Sequence, residues 1–253
     1  MALTFGANTS DRVLVTAGTS IDNQTAFSIL AWIYPTTLTR NRRAWSRAAP
    51  SAGWEVTEKQ GAIPNADAFE FIVARATTSA EAEGAAGTLT VNAWQCFLLT
   101  YDETNGCQIY RGTLTAMLAE ISYGTLTTGS GATAEQTADL AIGNINGVSP
   151  TTAFQGRMAH FQLIARRLTL AEGQALQFRP RVVADTKVFL SLGYAGTDTQ
   201  PDWSGTGNSG TVTGATVGAH VPIPFRRSGP LYVPYTVAAG TILPQMMQHH
   251  HAA

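Results

Sequence analysis

Hydrolysis of a glycosidic bond with retention needs two carboxyl groups about 5 Å apart, one of them protonated. The nearest candidate pair is Glu81-Ala-Glu83. It lies in Thr77–Gly87, a stretch rich in Gly and Ala that reads as a loop, with no third carboxylate at a useful spacing. Glu55 and Glu58 are three apart and would face opposite sides of a strand. No Gly-x-Ser-x-Gly elbow occurs, so nucleophilic serine chemistry has no anchor. His160 and His220 stand alone in the sequence and read as structural. His249–His251 could pick up a stray metal ion, but the cluster also reads as solvated. Asp11, Asp22 and Asp102 fall in turns without the alternating spacing of a calcium loop. The expectation is no catalytic residue, no metal and no cofactor.

Binding chemistry is better represented. Arg40, Arg42, Arg43 and Arg47 surround Trp45 within Thr36–Ser51, a segment that reads as a loop. Arg42, Arg43, Trp45 and Trp54 are candidate contacts for a glycan or for a protein interface, since Trp and Arg anchor interfaces. Core packing competes for both tryptophans, and a solvated loop competes for the arginines.

The second candidate surface is the C-terminal stretch. Prolines at 222, 224, 230, 234 and 244 block regular pairing and favour extended backbone. Yet the stretch keeps many large apolar residues, which disordered tails usually lack. The expectation is an extended arm over 223–253 that docks on a neighbouring subunit through Arg226, Arg227, Leu231, Tyr232, Tyr235, Ile242, Leu243, Met246 and Met247. Folding back onto its own domain is the competing reading.

Composition narrows the classes. A length of 253 residues suits one all-β domain with a proper core. The net charge of −1 excludes a global field that would draw nucleic acid or an anionic membrane. Charged residues make up 13% of the chain, against about 25% in an ordinary soluble domain. Either much of the surface is covered by partners, or the composition merely reflects Thr-rich strands. No run approaches the ~20 apolar residues of a membrane span, and the N-terminus has no signal-peptide pattern, so a cytoplasmic site of synthesis is expected.

The elements read as many short strands with turn punctuation, the pattern of a sandwich. Strands are expected near Leu3–Phe5, Val13–Val15, Ala26–Tyr34, Trp54–Thr57, Ala68–Arg75, Gly87–Val91, Trp94–Tyr101, Gln108–Arg111, Leu140–Gly143 and Lys187–Leu192. Asn105-Gly106 marks a hairpin. In that hairpin Cys96 and Cys107 lie on the order of 15 Å apart, too far for a disulfide. The segment from Phe154 reads as a strand with Arg157, Ala159, Phe161, Leu163 and Ala165 on one face, and Thr169-Leu-Ala-Glu172 as the capping box of a short helix.

These pieces resemble a known family. LTFGANTSDRVLVTAG, AFSILAWIYP, NAWQCFLLTYDETNGCQIYRGTL, LAIGN and FQGRMAHFQLIARRLTLAE follow the order of laminin-G-like members of the concanavalin A-like lectin/glucanase superfamily. The resemblance covers roughly residues 3–178. It implies an all-β, two-sheet antiparallel jelly-roll sandwich with one short helix, here over 1–222, followed by the arm. It also implies that Trp32 and Trp94 are buried. Enzymes of this fold carry Glu-x-Asp-x-x-Glu on one strand, a motif this sequence lacks.

Three functions follow as expectations. The first is a non-enzymatic virion component resembling bacteriophage decoration or tail-associated proteins, made in a host cytoplasm and tied to other virion proteins, or to copies of itself, by the arm. The alternative is a lectin-like carbohydrate-binding module for surface glycans. A glycoside hydrolase ranks last.

Overall fold

The computed structural model describes residues 1–6, 10–38, 42–49, 52–59, 67–134, 137–145 and 152–223. Along them the strands are β1 (Ala2–Phe5), β2 (Arg12–Val15), β3 (Ala26–Pro35), β4 (Arg42–Ala49), β5 (Ala52–Glu58), β6 (Phe69–Val73), β7 (Ala80–Gly84) and β8 (Gln95–Asp102). They continue with β9 (Gly106–Thr113), β10 (Ala119–Glu120), β11 (Tyr123–Thr127), β12 (Leu140–Ile142) and β13 (Gly156–Ile164). The helix α1 (Leu170–Gln177) precedes β14 (Thr186–Leu190), β15 (Gly210–Thr213) and β16 (Thr216–Gly218).

Two antiparallel sheets result. The first runs β10-β9-β8-β3-β13-β1-β16, with β14 also on β13. The second runs β11-β7-β6-β5-β4-β12-β2-β15. The interleaved strand order is that of a jelly-roll sandwich. Between the sheets Phe27, Ile29, Trp45, Phe69, Phe71, Phe97, Leu99 and Phe161 form the main core. A second apolar cluster lies on the far side of the first sheet, where Leu30, Trp32, Leu98 and Ala159 meet Leu176 of α1. The central β3 is therefore covered on both faces, which explains its unbroken apolar run.

The capping box forms as the sequence suggests. Thr169 accepts from the Glu172 amide, and Glu172 accepts from the Thr169 amide. The helix is fixed to the sheet by Trp32, whose indole donates to the Gln177 carbonyl at 2.9 Å. The Gln177 side chain holds the connection after β9, accepting from Leu118 and donating to Thr113 and Ala116. The hairpin at Asn105-Gly106 pairs Tyr101 with Cys107 and Cys96 with Gly112, and both cysteines are free and buried.

Several expectations fail for identifiable reasons. Gly87–Val91 is a turn region, and Thr36–Ser51 and Thr77–Gly87 contain the strands β4 and β7. Those strands alternate Arg or Glu with Ala and Trp, and tertiary pairing overrides their weak local propensity. On β13, His160 sits at φ 52° where two residues oppose one between Ala159↔Trp32 and Gln162↔Leu30. This bulge turns Phe161 and Leu163 to the inter-sheet core while Ala159 faces the helix side, so the simple alternation through Ala159 and Phe161 is broken.

A compact unit spans Met1–Ile223, and Ile223 itself is buried in the second cluster. The arm residues Arg226, Arg227, Leu231, Tyr232, Tyr235, Ile242, Leu243, Met246 and Met247 lie outside the described residues.

Candidate functional site

At one pole of the sandwich, four connections converge on a pocket of about 150 Å³. Its floor is Trp54 on β5 with Phe27 at the start of β3, their rings 5.4 Å apart. Its mouth is formed by Asn23, Gln24 and Thr25 before β3, Glu103 in the β8–β9 hairpin, and Ala132–Ala134 after β11. Asn23, Thr25 and Ala132 are exposed, so the pocket opens to solvent.

Local chemistry explains why these loops stay in place. Asn23 has φ 54°, a left-handed conformation Asn tolerates better than most residues. Arg47 is 2% exposed and behaves as an internal staple. It donates to the carbonyls of Ile21 and Ala138 and pairs with Asp22. Burial lowers its pKa, with Asp22 opposing the shift. Arg75 ties the far side, donating to the carbonyls of Gly131, Thr128 and Glu103. Glu103 accepts from the Thr133 amide at 2.7 Å and from its hydroxyl at 2.8 Å. Those bonds hold its carboxyl below the usual range, so it stays ionised and presents acceptors to the mouth. The result is an aromatic floor beneath amide, hydroxyl and carboxylate groups, of which Glu103 and Thr133 hold each other and Gln24 donates to the Asp22 carbonyl.

The residues singled out in the sequence scatter. Trp54 reaches this pocket, at 5% exposure. Trp45 does not line it: the indole is fully buried between Phe69 and Phe161, so it is a core residue and not the anchor of a loop. Arg42 is 6% exposed and donates to the Ala153 carbonyl, facing the fully buried Glu58 across β4 and β5. Desolvation pushes the Glu58 carboxyl well above its usual range, with Arg42 opposing. Arg43 is bidentate to Glu55 at 3.0 and 3.1 Å on the outer face of the second sheet. The pocket residues missed from sequence are Asn23, Gln24, Glu103 and Thr133. Turn punctuation marks their loops, but nothing local shows that the loops meet.

The carboxylates need a correction. Glu81 and Glu83 lie on β7, and Glu70 on β6 is directly opposite Glu83. The three carboxylates approach within 4.8 Å of one another. Their hard oxygen donors would suit calcium or magnesium. Lys59 neutralises part of the cluster at 2.5 Å from Glu70, and Thr125 donates to Glu83. Burial raises the Glu70 pKa; Lys59 opposes this while Glu81 and Glu83 add to it. None of these glutamates lines the Trp54 pocket.

Three further features lie elsewhere. His160 and His220, separate in sequence, meet edge to face at 4.7 Å. Tyr194 and Trp203 are exposed and in contact at 5.3 Å. At the opposite pole, a wider cleft of about 440 Å³ is lined by Tyr34, Asn92, Trp94 and Arg111.

Comparison with known proteins agrees with this architecture. No curated protein matches the sequence. Among solved structures, a candidate carbohydrate-binding protein from Bacteroides ovatus is similar with a TM-score of 0.57 at 18% identity, over 88% of this chain and 61% of the other. The extracellular region of zebrafish Gpr126/Adgrg6 is similar with a TM-score of 0.53 at 14% identity, over 86% of this chain and 26% of the other. The chain thus spans less than two thirds of either protein, and the likeness is one of fold. A family model described as the concanavalin A-like lectin/glucanases superfamily, of laminin-G type, matches residues 7–172. The chain belongs to this laminin-G-like family of the concanavalin A-like superfamily.

Proposed function

We propose that this protein is a non-catalytic carbohydrate-binding module whose Trp54 pocket takes one sugar unit of a glycan. The observation that carries the reading is the pocket's composition: an aromatic floor under Asn23, Gln24, Thr25, Glu103 and Thr133. Sugars present apolar ring faces and a rim of hydroxyls, which such a site matches. A volume of about 150 Å³ is well below the 300–1,000 Å³ of drug-sized sites and suits a single ring. The fold shared with the candidate carbohydrate-binding protein of Bacteroides ovatus supports the same reading.

No hydrolysis is assigned to the pocket. A retaining mechanism needs a second carboxyl, one of the two protonated, and among the described residues the pocket offers only Glu103, which Thr133 keeps ionised. The other expected role, assembly into a virion through the arm, rests on residues outside those described, and no described feature favours it. A glycan array probed with the full chain tests the proposal. Binding to a defined glycan, weakened by Glu103→Ala in a folded protein, is the expected outcome; a folded protein that binds no glycan contradicts it.

A further inference from the structure

The turn between β14 and β15 gathers more oxygen atoms than its protons can serve. Asp202-Trp-Ser204-Gly-Thr206-Gly-Asn208 sets a polar side chain at every second residue, the spacing of the first ligands of a calcium loop. Hydroxyls and an amide fill places that carboxylates usually hold, so a search for paired carboxylates passes over it. Gly205 and Gly207 lie at φ 85° and 84°, a left-handed backbone that glycine adopts freely. The turn lies outside residues 7–172, the part that the family model matches.

Three side chains of the turn converge on the Lys187 carbonyl oxygen. Ser204 Oγ lies 3.2 Å from it, Thr206 Oγ1 2.5 Å and Asn208 Nδ2 2.7 Å. Asp202 Oδ2 lies 2.7 Å from Ser204 Oγ and 3.0 Å from Thr206 Oγ1, and the two hydroxyls are 2.8 Å apart. Burial would raise the Asp202 pKa, but the Phe189 amide, the Ser204 hydroxyl and amide and the Asn208 amide hold it below the usual range. Its carboxyl is therefore ionised and brings no proton. Each hydroxyl brings one, so at most two of these five oxygen–oxygen contacts are full hydrogen bonds. Asn208 Nδ2 likewise meets three acceptors, on Lys187, Thr206 and Ser20, with two protons. Asp202 forms no salt bridge among the described residues. Neighbouring equatorial oxygens around calcium, each 2.3–2.6 Å from the ion, stand about 2.7–3.1 Å apart, which is the spacing of this cage.

We propose that the turn binds a calcium ion through Asp202 Oδ2, the hydroxyls of Ser204 and Thr206 and the carbonyl of Lys187. The oxygen and nitrogen of the Asn208 amide exchange places by a half-turn of the side chain, which adds a fifth oxygen while Ser20 keeps a partner. One carboxylate is a low charge count, so the dissociation constant belongs at about 10⁻⁴–10⁻³ M. Through Asn208 and Ser20 the ion would also steady the connection that enters β3. The proposal rests on these oxygens and is independent of the carbohydrate-binding reading.

Terbium tests it, since this ion takes calcium's ligands and is excited by a nearby indole, and the exposed Trp203 stands within the turn. With the chelator-treated full chain, sensitised terbium emission is expected that calcium displaces and sodium at equal ionic strength does not. Asp202→Asn keeps the side-chain shape and removes the charge, and Thr206→Val removes one oxygen at an exposed position. Each should weaken calcium binding at least about tenfold, and Thr206→Val should do so with an unchanged calcium-free melting temperature. Glu81→Gln, in the separate glutamate cluster, should leave the emission and its displacement as they are. No calcium-displaceable emission, or wild-type affinity in both turn variants, overturns the proposal. Loss of the signal in Glu81→Gln alone also overturns it, because the ion then belongs to the glutamates of β6 and β7.

Discussion

The indole of Trp54 lies against the ring of Phe27 with centroids 5.4 Å apart and planes tilted by 32°. One residue comes from β5 of the second sheet and the other from β3 of the first. The contact closes the sandwich at one pole, and the same two rings floor the pocket. Core and site are therefore not separable at this position. Trp54→Ala is expected to cost about 3–5 kcal/mol of stability, so it is a poor probe of binding. Gln24→Ala and Glu103→Ala, on the mouth, should lower glycan affinity at least about fivefold, Gln24→Ala with little change in melting temperature and Glu103→Ala with a modest loss, since Thr133 then lacks its acceptor. Thermal melting beside calorimetry separates the two effects; unchanged affinity in both mouth variants would count against the pocket.

His160 gives the fold a defined sensitivity to acid. It is 5% exposed at the bulge of β13, and burial, with His220 adding to it, lowers its pKa from 6.5 to about 3. The folded state therefore prefers the neutral ring, while the unfolded chain takes up a proton near 6.5. The stability involved is fully present above that pH and drains away as pH falls toward 3, at up to about 1.4 kcal/mol per pH unit. Urea unfolding between pH 7 and pH 5 should show the decline before most carboxylates titrate. His160→Asn, chosen to tolerate the positive φ, should flatten it; an equal slope in the variant would assign the effect elsewhere.

Gly173 lies inside α1, where alanine normally stabilises by about 1 kcal/mol. A Cβ added there would come within 2.4 Å of Leu98 Cδ2, and Leu98 is fully buried. Gly173→Ala is expected to destabilise by roughly 1–3 kcal/mol. A stabilised variant in chemical denaturation would mean that the helix is less tightly seated on the sheet.

The glutamate cluster predicts the opposite sign. Glu81 stands among Glu70 and Glu83 with oxygens within 4.8 Å, and like charges across adjacent strands repel. In buffer with a chelator, Glu81→Gln should raise stability by roughly 0.5 kcal/mol. A loss of stability would show that the three charges are not in net repulsion.

The sequence made the sandwich readable because its strongest signals are local and redundant. The apolar run of β3, the Asn105-Gly106 turn and the capping box of Thr169 and Glu172 each point to one conformation. The strands β4 and β7 were hidden for the converse reason. Arg43, Glu81 and Glu83 face outward while Ala44, Trp45, Ala80 and Ala82 face the core, and small residues with charges read as loop until the neighbouring strands are in place. Sites suffered most. Trp54 was visible as a residue type, but the meeting of Asn23, Glu103 and Thr133 around it depends on four connections distant in sequence.

The most direct test is quantitative binding of an array-identified glycan to the full chain and to Glu103→Ala, both shown to be folded. Saturable binding by the native protein is expected, with at least about fivefold weaker binding by the variant. A folded native protein that binds no glycan, or a variant of equal affinity, would contradict the carbohydrate-binding reading.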